Sequence, residues 1–334
     1  MIAVLAFQAA MTLATGCSTV SSPFLSSGVA NMKSSLEPSF DRRRFLRVGT
    51  ALAGSSALCA LSSPRIARAD EAEATPNAAK LGWRVTCAAY TFNRLTFVET
   101  LQQVATLGLN AVEAFEWQRL SAAHGDVQTN ATMPAPVRQQ VAGQLADRGI
   151  SMVGLYCRDL DSEAAARPVF QFAKDMGVQY LVAEPAFEAY DMLGQLCAEY
   201  RIKLAVHNHP APSRYYNPET TLKMVRDRGP WIGACCDTGH WVRSGFQPVE
   251  ALKKLEGHIV SFHLKDVDKF GEKSAVCVPW GEGAGQIGEI LKEMHRQRWQ
   301  GDFGIEYEPY SPDNTRHAAQ CIVFLEKIAG QLVG

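Results

Sequence analysis

"IGACCDTGH", residues 232–240, starts like a buried strand and then turns sharply polar, with Asp237 and His240 three residues apart. Seven other segments start with the same apolar character: 84–92, 110–117, 151–157, 180–186, 203–210, 259–267 and 303–310. Each is short and rich in β-branched or aromatic residues, as strands are. Between them run longer segments with helical spacing of apolar residues, such as "TFVETLQQVATLGL" (96–109) and "APVRQQVAGQLADRG" (135–149). Several close near a glycine, which suits a left-handed cap. Eight β-then-α units in about 250 residues predict one closed (β/α)8 barrel over residues 80–332. A doubly wound open sheet is the rival. It usually has fewer strands, and no GxGxxG follows the first strand here.

In a parallel barrel the active site lies at the C-terminal ends of the strands. The fourth segment ends in Glu184, the fifth in His207-Asn208-His209 and the sixth in Asp237 and His240. The seventh ends in His263, Lys265 and Asp266, and the eighth in Glu306 and Glu308. Strand side chains alternate, so His263 shares a side with Lys265, and Glu306 with Glu308. Burying so many ionisable groups without partners is costly, and a divalent cation would neutralise them. Two carboxylates plus one or two imidazoles form a mixed oxygen and nitrogen set suited to Zn, Mn, Co or Fe. Singly, each of these residues reads as a packed or solvated side chain. The signal is their position at one end of successive strands. Tyr90, Trp117 and Trp280 could stack on a sugar face, and aromatic residues there serve packing as often. "VPWGEGAGQI" (278–287) lacks the lysine of a phosphate-binding P-loop, which predicts a loop lining the mouth.

The chain has 334 residues, 47% hydrophobic and 20% charged, with formal net charge −1. Such a balance gives no general pull toward nucleic acid or anionic membrane. The first 75 residues differ from the rest. "DRRRFLRVG" (41–49), an apolar run and "ARA" (67–69) are the parts of a twin-arginine export signal. That reading predicts a true start at Met32, cleavage after Ala69 and an exported, periplasmic protein. The apolar run is too short and too rich in Gly and Ser for a stable membrane span. Of nine cysteines, two precede the barrel and seven are scattered without a CxxC pair, against a disulfide framework.

"CCDTGHW", "SFHLKDV", "VPWGEGAGQI" and "GIEYEP" together resemble the sugar phosphate isomerase/epimerase family, the xylose isomerase-like TIM barrels. The resemblance covers about residues 84–330. It implies one divalent metal held by Asp237, His263, Glu306 and a fourth ligand. Where the ketose epimerases of this family carry a glutamate on the fifth strand, this chain has His207, so the fourth ligand is either His207 or Glu184. Glu184, Glu306 or His207 would move the proton. His240 and Lys265 would touch substrate hydroxyls, with His209, Glu308, Tyr90 and Trp280 as further substrate contacts and Trp241 walling the pocket. The implied activity is isomerisation, epimerisation or elimination on a sugar, keto-sugar or glycoside through an enediolate-type intermediate. A non-catalytic exported sugar-binding protein is the alternative, and a DNA repair nuclease on the same barrel is the remote one. Barrels of this type often pair, which allows a homodimer.

Overall fold

Eight parallel strands hydrogen-bond in a closed ring in the computed structural model, which describes residues 74–309 and 311–334. The predicted leader, start and cleavage site lie outside the described residues. The strands are β1 (Trp83–Ala88), β2 (Ala111–Phe115), β3 (Ser151–Tyr156), β4 (Tyr180–Ala183), β5 (Lys203–His207), β6 (Ile232–Asp237), β7 (Ile259–Leu264) and β8 (Gly301–Ile305). Each neighbours the next, and β8 closes on β1 with Val85 opposite Phe303. The (β/α)8 expectation holds, and the open sheet is excluded by the closure.

Around the ring run α2 (Phe97–Thr106), α3 (Ala135–Asp147), α4 (Glu163–Met176), α5 (Tyr190–Tyr200), α6 (Pro218–Val225), α8 (Pro248–Lys254), α9 (Ile287–Arg296) and α10 (Asn314–Val333). Two short helices, α1 (Pro76–Lys80) and α7 (Thr238–Arg243), and the long closing α10 have no counterpart among the predicted elements. Local chemistry starts several of them. Thr96 and Glu99 form a reciprocal capping box on α2, and Ser162 caps α4. No helix among the described residues is long and apolar enough to cross a membrane.

Every strand of the ring carries at least four residues in a row that are out of water, and β4 is buried throughout. Phe262 on β7 and Phe303 on β8 point to the helix side, where their rings meet each other and Trp299 at 4.9–5.0 Å. Their neighbours Ser261, His263 and Gly304 turn inward. The seven cysteines of the barrel are free and buried, as the scattered spacing predicts.

The predicted strands overran at their C-terminal ends. Residues 89–92 form a 3-10 turn, 238–243 a helix, and 266–267 pair antiparallel with 277–278 as a small separate ribbon. The overruns hold Glu184, His209, His240, Glu306 and Glu308, just past the strand ends, while His207, Asp237 and His263 lie on the strands themselves. The barrel beneath is tight. A Cβ on Gly304 would lie 2.6 Å from the Phe262 carbonyl oxygen, a backbone atom that cannot rotate away. Gly304→Ala is expected to cost about 1–3 kcal/mol in urea unfolding; unchanged stability would mean the β7–β8 spacing is looser than this.

Candidate metal centre

Four side chains converge at the top of the barrel, and each divides its polar atoms in the same way. Asp237 ends β6 and caps α7, its Oδ1 accepting the His240 backbone N–H at 2.8 Å. Oδ2 is left over. His207 ends β5 and sets its Nδ1 3.1 Å from Glu184 Oε1, leaving Nε2. His263 on β7 sets its Nε2 2.6 Å from Glu113 Oε1, leaving Nδ1. Glu306 follows β8 with Oε1 3.3 Å from the Lys265 ammonium, leaving Oε2. The leftover atoms of His207, Asp237, His263 and Glu306 are buried and have no hydrogen-bond partner. One ligand atom from each of the four lies within 4.8 Å of the others.

Two imidazole nitrogens and two carboxylate oxygens, buried and facing one another, are a donor set that could hold a divalent ion; without one, His263 Nδ1 lies 2.5 Å from Glu306 Oε2 and the Lys265 ammonium 3.0 Å from Asp237 Oδ2. Each imidazole is backed by a carboxylate, which fixes its ring and raises its basicity. His263 is the clearest case. Burial favours its neutral form, but Glu113 on one side and Glu306, 2.5 Å away on the other, hold its pKa well above the ordinary histidine range. A metal arriving at Nδ1 must displace that proton.

The surroundings fix the charges. Lys265 is fully buried and lies 3.0 Å from Asp237 Oδ2 and 2.6 Å from Glu308 Oε1. Burial opposes its charge, yet the carboxylates of Asp237, Glu306 and Glu308 keep its pKa well above the usual value. Gly239 makes room for it: a Cβ there would lie 2.6 Å from Lys265 Cγ. Thr238 exchanges two hydrogen bonds with the Lys265 backbone, and the Asn208 amide exchanges two with the Asp237 backbone. Burial pushes the Asp237 and Glu306 carboxyls up, but the neighbouring cations and imidazoles outweigh it and leave both well below the usual range. Glu308 falls to about 2 against its own burial, chiefly through Lys265.

Above the cluster opens a cavity of about 600 Å³. Its polar side carries Glu184, His209, His240 and Glu308, and its other side Tyr90, Phe115, Trp117 and Tyr156. The Phe115 and Tyr156 rings stack at 5.0 Å and 7°. Residues 101–327 match the model of the xylose isomerase-like TIM barrel family. The chain belongs to that family.

Within the family, an inosose dehydratase of Clostridium botulinum is 37% identical over 131 residues, 35% of this chain and 44% of that protein. The chain thus spans less than half of that curated relative. A solved structure from Parabacteroides distasonis is 30% identical, covers 74% of this chain and 99% of its own, and superposes with a TM-score of 0.61. A xylose isomerase-like barrel from Mycobacterium smegmatis, solved with magnesium, has the same TM-score at 14% identity, covering 75% of this chain and 98% of its own. At that identity it shows the shared fold.

The structure brings Asp237, His263 and Glu306, the three ligands the family resemblance implies, together with His207. Of the two candidates for the fourth position it offers His207, with Glu184 standing behind it on Nδ1. His209, His240, Glu308 and Tyr90 line the cavity as expected. Four expectations need correction. Lys265 has no exposed surface and is held among three carboxylates, so it does not reach substrate. Trp280 is buried with its indole N–H on the Leu264 carbonyl, and Trp241 is fully buried in α7; neither lines the cavity. The glycine-rich loop does not line it either. Its Gly281, Gly283 and Gly285 N–H groups wrap the Asp266 carboxylate at 2.8–3.0 Å.

Glu113 escaped notice, although "NAVEAFEW" showed an acid inside an apolar strand. Two outcomes follow. Zinc affinity of the chelator-stripped protein, measured by competition titration, should rise between pH 6 and pH 8, because the proton held on His263 must leave; a flat profile would place the metal elsewhere. Asp266→Asn should cost about 2 kcal/mol in unfolding, by turning an amide NH2 toward two of the four N–H donors that Asp266 accepts, while leaving metal stoichiometry intact.

Proposed function

We propose that this chain is a metal-dependent lyase of keto-sugars or keto-polyols, removing water across the bond next to a carbonyl. One observation carries the reading: of the imidazoles lining the cavity, His209 is the exposed one outside the four-atom cluster, and it is set against the Glu184 carboxylate. The other titratable groups are committed. Glu184 would rise by burial, but hydrogen bonds with His207 and His209 hold it at about 2. Glu308 is held as low, and Glu306 faces the cluster. His240 is kept neutral by burial and accepts from Arg243 at Nδ1, 3.1 Å away.

His209 is half exposed, packs face to face with His240 at 5.1 Å, and presents Nδ1 to Glu184 Oε1. A tautomer that donates Nδ1–H to this carboxylate leaves Nε2 as the acceptor. That nitrogen takes the proton from the carbon beside the carbonyl and returns it to the departing β-hydroxyl, which leaves as water. Glu184 acts through His209, holding its tautomer and stabilising the imidazolium. A divalent ion held by His207, Asp237, His263 and Glu306 supplies Lewis-acid stabilisation of the negative charge that develops on oxygen. The aromatic side of the cavity offers the apolar face that a sugar ring stacks on.

A lone base on one side of the substrate suits elimination, or proton transfer between adjacent carbons on one face. Epimerisation needs a second proton donor on the opposite face. The neighbouring dehydratase supports the choice of elimination. The proposal includes export, on the twin-arginine leader of the sequence. The test is proton exchange and dehydration of inosose and of ketoses in D2O by NMR, with metal-replete protein. His209→Ala should lose about 100- to 10,000-fold in rate at unchanged metal content. Neither exchange nor product with any of these substrates would leave the non-catalytic sugar-binding reading in its place.

A further inference from the structure

We infer that the substrate carries a carboxylate, received by Arg158 on the aromatic side of the cavity. The inference rests on the sugar reading above and names the class of sugar. Among the described residues that line the cavity, Arg158 is the one lysine or arginine. It stands on the loop after β3, and its position is fixed twice. Its backbone N–H donates to Glu116 Oε1 at 2.9 Å. Its guanidinium carbon lies 3.9 Å from the centre of a Trp117 ring, flat-sided support that holds a planar group in place.

Glu116 Oε1 accepts the Arg158 backbone N–H and its charge acts on the guanidinium from a distance, but no ion pair within 4.0 Å forms between that guanidinium and any described residue. Arg84, Arg138, Arg167, Arg228, Arg243 and Arg296, in contrast, each have one. A preorganised guanidinium facing a cavity with its donors unspent is a receptor for an anion. Its two parallel N–H groups match the two oxygens of a carboxylate. A phosphate dianion calls for more: further cations or a nest of backbone N–H groups. The polar side of the cavity offers the carboxyl groups of Glu184 and Glu308 instead, with no second lysine or arginine among the lining residues. The geometry therefore orients the ligand, with its carboxylate at Arg158, its apolar face on the aromatic wall, and its carbonyl toward the cluster.

The test compares two ketoses that differ only at one end. 5-Keto-D-gluconate has a carboxylate where L-sorbose has a hydroxymethyl group. Calorimetric titration into manganese-loaded protein should show the acid binding at least tenfold more tightly, as one charge-assisted hydrogen-bonded pair allows. Arg158→Gln should abolish that preference while keeping L-sorbose affinity and manganese content. Arg158→Lys, which keeps the charge and loses the fork, should retain part of it. A wild-type protein without the preference overturns the inference, weak binding of both sugars included. So does an Arg158→Gln that weakens both equally. Metal content and solvent-proton exchange test the proposed chemistry separately, so a failure of one does not pass for a failure of the other.

Discussion

Two carboxylate oxygens and two imidazole nitrogens crowd within 4.8 Å in a buried place, and they are stable there only with positive charge among them, from Lys265, from the proton on His263 or from a divalent ion. The rest of the site is arranged to hold them there. Asp237 is pinned by the first turn of α7 and by Asn208, His207 by Glu184, His263 by Glu113, and Glu306 by Lys265. Each ligand gives one atom to the protein and keeps the other for the centre. Freezing the side chains in this way moves the cost of ordering from metal binding into folding, where the closed barrel carries it.

The electrostatic balance explains the most unusual residue in the structure. Asp237, Glu306 and Glu308 meet Lys265, which has no exposed surface. An ammonium in that position is stable only while its three carboxylates stay ionised, and they stay ionised because it is there. Arg243 closes the arrangement from the other side, reaching both Glu308 and His240. Lys265 is therefore a fixed internal counter-charge. It keeps the carboxylates deprotonated and ready as ligands, at the price of being unavailable to substrate.

How much of this was legible follows from what each signal records. A strand that ends in an acid or imidazole places that residue at the barrel mouth, so Asp237, His263 and Glu306 were readable from spacing together with the family motifs. Whether a side chain at the mouth faces the cavity or dives beneath it depends on packing several segments away. Lys265 is drawn under by Gly239 and Glu308, and Trp280 by the carbonyl of Leu264. Neither partner is near in sequence. The glycine-rich loop misled for a related reason, since its N–H groups close on Asp266, about fifteen residues earlier, rather than on a ligand. Glu113 lay in plain view as an acid within an apolar run, but only β7 beside it in space reveals that it serves His263.

The same contrast between shared and leftover atoms separates the two ends of the cavity. Around the cluster, every carboxylate and imidazole is tied to another group of the chain, so that end is rigid and its charges are settled before any ligand arrives. On the opposite side the partners are aromatic faces, which constrain position without satisfying a hydrogen bond. A ligand with polar groups at both ends meets fixed donors at one and an unspent guanidinium at the other. In the mechanism proposed above, such a ligand would lie across the reach of His209, and that imidazole would determine from which face the proton leaves. The side of the ring it serves is held by Glu184, whose Oε1 meets both His209 and His207.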